Sequence, residues 1–561
     1  MKKICLFLFT TVVLYAQDYP VDYFRSPLDI PLSVSGTFGE LRNNHFHSGI
    51  DFRTQMKEGL PVYATADGYV SRIKISTFGY GKAIYITHPN GYTTVYGHLQ
   101  KAQGEIEDYI KKHHYEKESY EIEMFPTIFE LPVKKGDLIG LSGNSGGSGG
   151  PHLHYEFRNT QTEHIINPLF FGLDKAVKDT RAPVVNGLMV YPLGEKTVVN
   201  QSEKPVIVSL SLQKDGSYLA SRIVANGEIG FGLNTHDLSV NNYGKNGVYA
   251  ISVHVNGKKN FEIKFDTFSF DETRHINNYI DFEQFKRTGN RFQKLFYKKS
   301  YDLSLVNKSS NSGVVSVLPN VVQNCKIEIS DYHGNKTVVN IPVQYVNQEA
   351  KILNKEKQTP YKIMSDNDHN FAKENVSIYI REKTFYNDGA IDFEINGDVV
   401  SIGDKYIPIQ KNIVISIEKS VENPEKYFIG MIEGNKINYI KTSFKNKKFS
   451  ASSRNLGDFK LVKDSVSPKI TPIQFQAGKW MSTQKYLEFS ISDDLSGIAS
   501  YNAYLNNQWI LMEYDYKTKK LTHDFDDGIV KEGKNDLKLI VVDNVGNSTI
   551  FESHFFRSQK K

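Results

Sequence analysis

The sequence predicts a mainly β protein: a small antiparallel β-sheet domain followed by about three β-sandwich, immunoglobulin-like domains. Three observations carry this reading. Strand-favouring aromatics are abundant, with 33 Tyr and 34 Phe against 2 Trp and 8 Met, and such side chains suit a pleated, half-buried surface. From Ser33 to Gly172, glycines punctuate short apolar runs such as Pro61-Val62-Tyr63-Ala64 and Ala83-Ile84-Tyr85-Ile86, at intervals of about eight to twelve residues, the texture of many short strands. After Gly172 the alternating runs lengthen; in Ile391-Asp392-Phe393-Glu394-Ile395 the period is two, and Asn396-Gly397 then signals a hairpin.

Taken in order, Lys2 and Lys3 precede an apolar run from Ile4 to Leu14 that ends near Ala16, the pattern of a secretory signal peptide over residues 1–16. The run is shorter than the roughly 20 residues that span a bilayer, and no later run approaches that length, so the mature chain is expected to lack a transmembrane segment. Residues 17–175 form the first domain. Within it, 101–131 reads as an insertion: Ile106, Tyr109 and Ile110 at helical spacing predict a helix from Gly104 to about Lys117. Tyr120, Ile122 and Met124 then alternate with Glu121 and Glu123 as a strand. Residues 180–345, 346–463 and 466–561 read as three further β domains, the last of immunoglobulin-like size.

Two patterns recur. Lys178-Asp179-Thr180-Arg181-Ala182-Pro183 resembles Lys463-Asp464-Ser465-Val466-Ser467-Pro468, a linker entering a domain with proline fixing the entry. Asp331-Tyr332-His333-Gly334-Asn335 resembles Asp543-Asn544-Val545-Gly546-Asn547, a turn between the last two strands of a sandwich. Composition excludes several classes. A net charge of +5 over 561 residues gives no case for nucleic acid. Two cysteines exclude a disulfide scaffold and a thiolate zinc cluster. Cys325 alternates with Ile327 and Ile329 and reads as a buried strand residue.

Four segments carry chemistry: His45-Phe46-His47-Ser48-Gly49-Ile50-Asp51, Tyr96-Gly97-His98-Leu99, the run Gly143-Asn144-Ser145-Gly146-Gly147-Ser148-Gly149-Gly150, and Pro151-His152-Leu153-His154-Tyr155-Glu156-Phe157-Arg158. On a strand, His152 and His154 point to one face, with Leu153 turned into the packing behind. His47 and Asp51 are four apart, and Gly49 argues against a helix there. Two histidines and a carboxylate make a three-ligand set for catalytic zinc, with the fourth position open to water. Other histidines nearby can act as general base or bind a developing oxyanion.

With Gly36-Thr37-Phe38-Gly39, Val62-Tyr63-Ala64-Thr65-Ala66-Asp67-Gly68 and Val133-Lys134-Lys135-Gly136-Asp137, these segments closely resemble the lysostaphin-like (LytM-type) zinc metallopeptidases over about residues 36–168, roughly a quarter of the chain. The resemblance implies a small antiparallel sheet crossed by a narrow groove and one zinc ion per chain. His47, Asp51 and His154 look like the zinc ligands, and His98 and His152 like the two catalytic histidines. It implies an exported endopeptidase that hydrolyses peptide cross-links of peptidoglycan through a zinc-activated water, with His98 or His152 taking the proton. D-Ala–diaminopimelate links and glycine bridges are both open as the bond cleaved.

Departures from the family pattern are the long 101–131 insertion, read as part of the groove rim, and Leu41, which leaves no tyrosine to name as oxyanion partner. The expected partners are peptidoglycan stem peptides or cross-bridges, with envelope proteins as candidates for the C-terminal β domains, and the expected location is the periplasm or the cell envelope. The alternative is a wall-binding scaffold or an activator of another hydrolase; the full set of five residues speaks against it. The C-terminal domains are read as localising or docking modules that leave the groove intact. Glu156 is read either as a carboxylate that orients a ligand or as half of a salt bridge, and His45 as a substitute ligand. His88 is read as a turn residue and His113-His114 as a solvated helix face. Asp493-Asp494 and Asp524 to Asp527 are read as acidic turns in preference to calcium loops.

Overall fold

The computed structural model describes residues 19–238, 244–297, 302–307, 312–354 and 357–558; the signal segment read at 1–16 lies outside them. No helix among the described residues is long and apolar enough to cross a membrane.

The first domain contains β1 (Val34–Gly36), β2 (Ile50–Arg53), β3 (Pro61–Tyr63), β4 (Gly68–Ile75), β5 (Lys82–Thr87), β6 (Tyr92–Gly97), β7 (Lys101–Ala102), α1 (Gly104–Lys117), β8 (Ile122–Met124), β9 (Pro132–Val133), β10 (Leu138–Leu141), β11 (His152–Asn159) and β12 (Ile165–Ile166). Its main sheet runs β1-β2-β11-β6-β5-β4-β8 with antiparallel neighbours, and β3-β10-β7 form a small second sheet. The two-residue period of β11 sorts its side chains: Leu153, Tyr155 and Phe157 are wholly buried in the core, and His152, His154, Glu156 and Arg158 share the other face. In β2, Ile50 and Phe52 enter the same core and leave Asp51 beside the histidines. Pairing places His154 opposite Asp51 on one side and Gly97 on the other.

The insertion forms the predicted helix and strand. His114, however, is buried (3% exposed), which corrects its reading as a solvated residue. Ile106, Ile110 and His114 recur every four residues and form the inward stripe of α1, and the His114 ring satisfies itself on the Ser119 carbonyl at 2.8 Å.

The first two domains share one continuous core. β12 pairs with strand Thr267–Phe268, and Phe46 packs against Phe265, Phe268 and Tyr279. The change of texture near residue 175 is therefore no break in packing. Residues 363–459 and 481–555 each have their own core, the last between two four-stranded sheets. Asn396-Gly397 turns the hairpin of Phe393–Asn396 and Val399–Ile402, with Gly397 at φ +63°, a conformation that glycine adopts without strain. Cys325 is buried in Val322–Ser330, and burial pushes its thiol up to about 12.

The last domain docks on the first. Lys111 donates to the Asp527 carbonyl at 3.0 Å, the Tyr115 hydroxyl to the Asp527 carboxylate, and Lys82 pairs with Glu513 at 2.8 Å. Tyr516 packs 4.6 Å from the Phe78 ring, and Lys517 donates to the carbonyls of Asn144 and Ser148 in the glycine-rich run. Asp527, read as part of an acidic turn, thus tethers two domains.

Candidate metal centre

His47 Nε2, Asp51 Oδ1 and His154 Nδ1 converge: the two nitrogens are 3.1 Å apart, and Asp51 Oδ1 lies 3.1 Å from His47 and 2.9 Å from His154. All three residues are buried. The remaining ring nitrogens fix the tautomers. His47 donates Nδ1–H to the Thr37 carbonyl at 2.8 Å, and His154 donates Nε2–H to Glu156 at 2.8 Å. Each imidazole therefore turns a lone pair towards the other and towards a carboxylate oxygen. Three facing lone pairs at such separations repel unless a cation lies between them, and a nitrogen–nitrogen–oxygen donor set is one that zinc takes. The residues fit the metal. Burial lowers the His154 pKa, but Asp51 and Glu156 outweigh it and raise the ring to about 9. Burial raises Asp51, yet the imidazoles of His47, His152 and His154 hold it well below the usual carboxylate range.

Each donor is held from behind. Arg42 donates to Asp51 Oδ2 at 2.9 Å, which leaves Oδ1 to the centre. Glu156, fully buried, accepts from Ser48 at 2.5 Å and from Tyr80, and Arg158 grips its other oxygen at 2.6 and 2.8 Å. Both readings of Glu156 hold at once, because it orients His154 with one oxygen and pairs with Arg158 through the other. Tyr80 stacks on the His154 ring at 5.0 Å.

His98 and His152 stand beside the cage, with ring centroids 4.7 Å apart. His152 Nε2 is 3.4 Å from Asp51 Oδ1. Their Nδ1–H groups donate to main-chain carbonyls, His98 to Ser145 and His152 to Gly150, each at 2.8 Å. The Nδ1–H of each ring is thus committed to the main chain, which leaves the two Nε2 atoms, that of His152 beside Asp51, for proton chemistry. Burial pushes His98 down to about 3, so it stays neutral. His98 sits at φ +58°, an uncommon place for a non-glycine residue, and its amide is tied to the Tyr80 carbonyl at 2.9 Å. The glycine run supplies the Ser145 carbonyl because it can touch the neighbouring loop: a Cβ on Gly146 would lie 2.3 Å from the Gly81 nitrogen.

All five predicted residues come together. His45 does not join them; it is exposed and bonds the Asn43 carbonyl at 2.8 Å. His88 is a buried turn residue, bonded to the Asp67 carbonyl and to Thr94. Sequence reasoning missed Arg42, Ser48 and Tyr80. Arg42 and Tyr80 reach the site from loops without periodicity; Gly79 and Gly81 around Tyr80 are the one local signal. Gly36 is a further silent participant, since a Cβ there would fall 2.3 Å from Arg42 Nη2 and 2.6 Å from Asp51 Oδ2. Gly36→Ala is expected to expel Arg42 and weaken metal binding about tenfold, measured as zinc retained at a fixed chelator concentration.

Residues 45–115 match Peptidase family M23, and residues 360–464 match the Zu5-like domain. An uncharacterized metalloprotease of Haemophilus influenzae is 34% identical over 153 residues, 26% of this chain and 26% of that protein. The DD-carboxypeptidase/endopeptidase Mpg of Neisseria meningitidis serogroup B is 32% identical over 184 residues, 30% of this chain and 36% of that protein. The peptidoglycan DD-endopeptidase ShyC of Vibrio cholerae is 32% identical over 141 residues, 24% of this chain and 26% of that protein. The chain thus spans between about a quarter and a third of the length of these relatives.

Proposed function

We propose, from the Peptidase family M23 domain that the chain carries, that the protein is an exported zinc metalloendopeptidase hydrolysing peptide cross-links of peptidoglycan. The observation that carries it is the pairing of a three-donor cage with two neighbouring histidines whose Nδ1–H groups are held by main-chain carbonyls. The relatives named as peptidoglycan DD-endopeptidases favour a DD cross-link as the bond cut. The basic and apolar segment at residues 1–16 supports export.

His47, Asp51 and His154 hold the zinc, which when bound supplies a Lewis acid and lowers the pKa of a water. Arg42 and Glu156 keep the donors in place. His98 and His152, with their Nδ1–H groups held by the main chain, divide two tasks: one accepts the proton of the attacking water and passes it to the leaving amine, and the other hydrogen-bonds the oxyanion. The glycine-rich run allows a peptide main chain to approach closely. Lys517 of the last domain holds that run through the Asn144 and Ser148 carbonyls, so the last domain supports the loop that presents it.

His152→Ala separates chemistry from metal binding. It is expected to keep one zinc per chain and lose about 100-fold or more in kcat on a soluble cross-linked muropeptide. Wild-type turnover in that variant would remove His152 from the mechanism.

A further inference from the structure

The two repeated sequence patterns meet in space. Asp179 of the linker, Asp237 after strand Gly227–His236 and Asp331 of the turn after Val322–Ser330 bring carboxylate oxygens within 4.8 Å of one another. Asp237 and Asp331 are each 4% exposed. Such a cluster alone means little, since acidic turns are common. Here a second observation points to a ligand: Asp237 Oδ1 is buried without a hydrogen-bond partner, and so is Oδ1 of Asn246, whose main chain pairs with that of Asp237 at 2.9 Å in both directions. Both residues line a cavity of about 40 Å³ together with Asp179 and Asp331, ample for one ion.

The equivalent cluster in the last domain is a useful contrast. Asp464, Asp493 and Asp543 are as close. Asp464 and Asp543 accept from Val466 and Asn547 as Asp179 and Asp331 accept from Arg181 and Asn335. The difference lies at the third carboxylate: Asp493 accepts the Leu495 and Gly497 N–H groups, whereas Asp237 Oδ1 is left without a partner. In the first cluster burial pushes Asp237 up to about 7, with Asp179 and Asp331 adding to it; Arg181 opposes them more weakly than either. A buried carboxylate beside two others is costly unless a cation compensates it.

We propose that Asp179, Asp237 and Asp331, with the Asn246 side-chain oxygen, form a second metal site that takes a hard divalent cation, calcium in class. All-oxygen donors select such an ion over zinc. The site staples the linker out of the peptidase domain to the body of the second domain. A short relay links it to the catalytic cage: Gly247, next to Asn246, exchanges hydrogen bonds with the Thr37 side chain at 2.9 and 3.1 Å, and the Thr37 carbonyl holds His47. Calcium bound there braces a zinc ligand from behind.

The test is calcium titration of the zinc-loaded full chain, by calorimetry and by melting temperature, for wild type, Asp237→Asn, Asp179→Asn and Asp493→Asn. Wild type should bind calcium with a Kd of about 0.1–1 mM, the range of extracellular modules, and melt higher with it. Asp237→Asn and the half-buried Asp179→Asn should weaken that component about tenfold. Asp237→Asn should melt no lower than wild type without calcium, because it removes a like charge; that separates ligand loss from misfolding. Asp493→Asn should leave the component intact. No calcium heat or shift in wild type, unchanged binding in Asp237→Asn and Asp179→Asn, or loss confined to Asp493→Asn would overturn the proposal.

Discussion

Replacing His154 by alanine is expected to abolish zinc binding and hydrolysis together. His154 is the hub of the site. Its Nδ1 lies 2.9 Å from Asp51 and 3.1 Å from His47, and its Nε2 anchors on Glu156. Removing one of three protein donors costs more than the 10–100-fold in affinity that follows loss of an outer partner, so zinc should fall from one per chain to none after dialysis at about micromolar free metal. The fold should persist, because Leu153, Tyr155 and Phe157 on the opposite face of β11 carry its core packing. Zinc content by elemental mass spectrometry, with circular dichroism on the same sample, reads both. A folded His154→Ala variant that keeps its zinc would show that another residue completes the cage.

The second large effect lies one layer out. Glu156→Gln keeps the shape of the side chain and deletes its charge. Arg158, itself 5% exposed, then loses its buried partner, and breaking such a pair from one side costs about 3–5 kcal/mol. His154 also loses the charged acceptor that makes its other nitrogen a good donor, and zinc affinity should fall about 10–100-fold. The two consequences separate in the double variant Glu156→Gln with Arg158→Met. Removing both charges should recover much of the stability, read as the denaturant midpoint, and should leave zinc binding weak. Recovery of zinc affinity along with stability would assign Glu156 a purely structural role.

Much of this was legible in the sequence because local periodicity did the sorting. The two-residue alternation of His152 to Arg158 predicts which side chains share a face, and the structure shows that face next to Asp51. The helix of the insertion follows from Ile106 and Ile110; extending the same stripe by four residues reaches His114, which its polar identity disguised. What sequence left hidden has one cause, the convergence of segments far apart in the chain. Arg42 and Tyr80 come from loops, and nothing local says that they close on Asp51 and Glu156. The Asp179 and Asp331 patterns were visible as repeats, but Asp237 joins them only through folding. The shared core of the first two domains rests on Phe46, Phe265 and Phe268, aromatics that read locally as ordinary strand residues. Likewise, no motif announces that Lys517 holds the glycine-rich run.

The most direct test of the central claim is digestion of purified peptidoglycan by the zinc-loaded chain, with products separated and weighed by mass spectrometry. The account predicts new uncross-linked stem peptides, each with a freed amine at the former cross-link, released by wild type and absent with His154→Ala. Full zinc occupancy with no released peptide from any cross-link chemistry would contradict it.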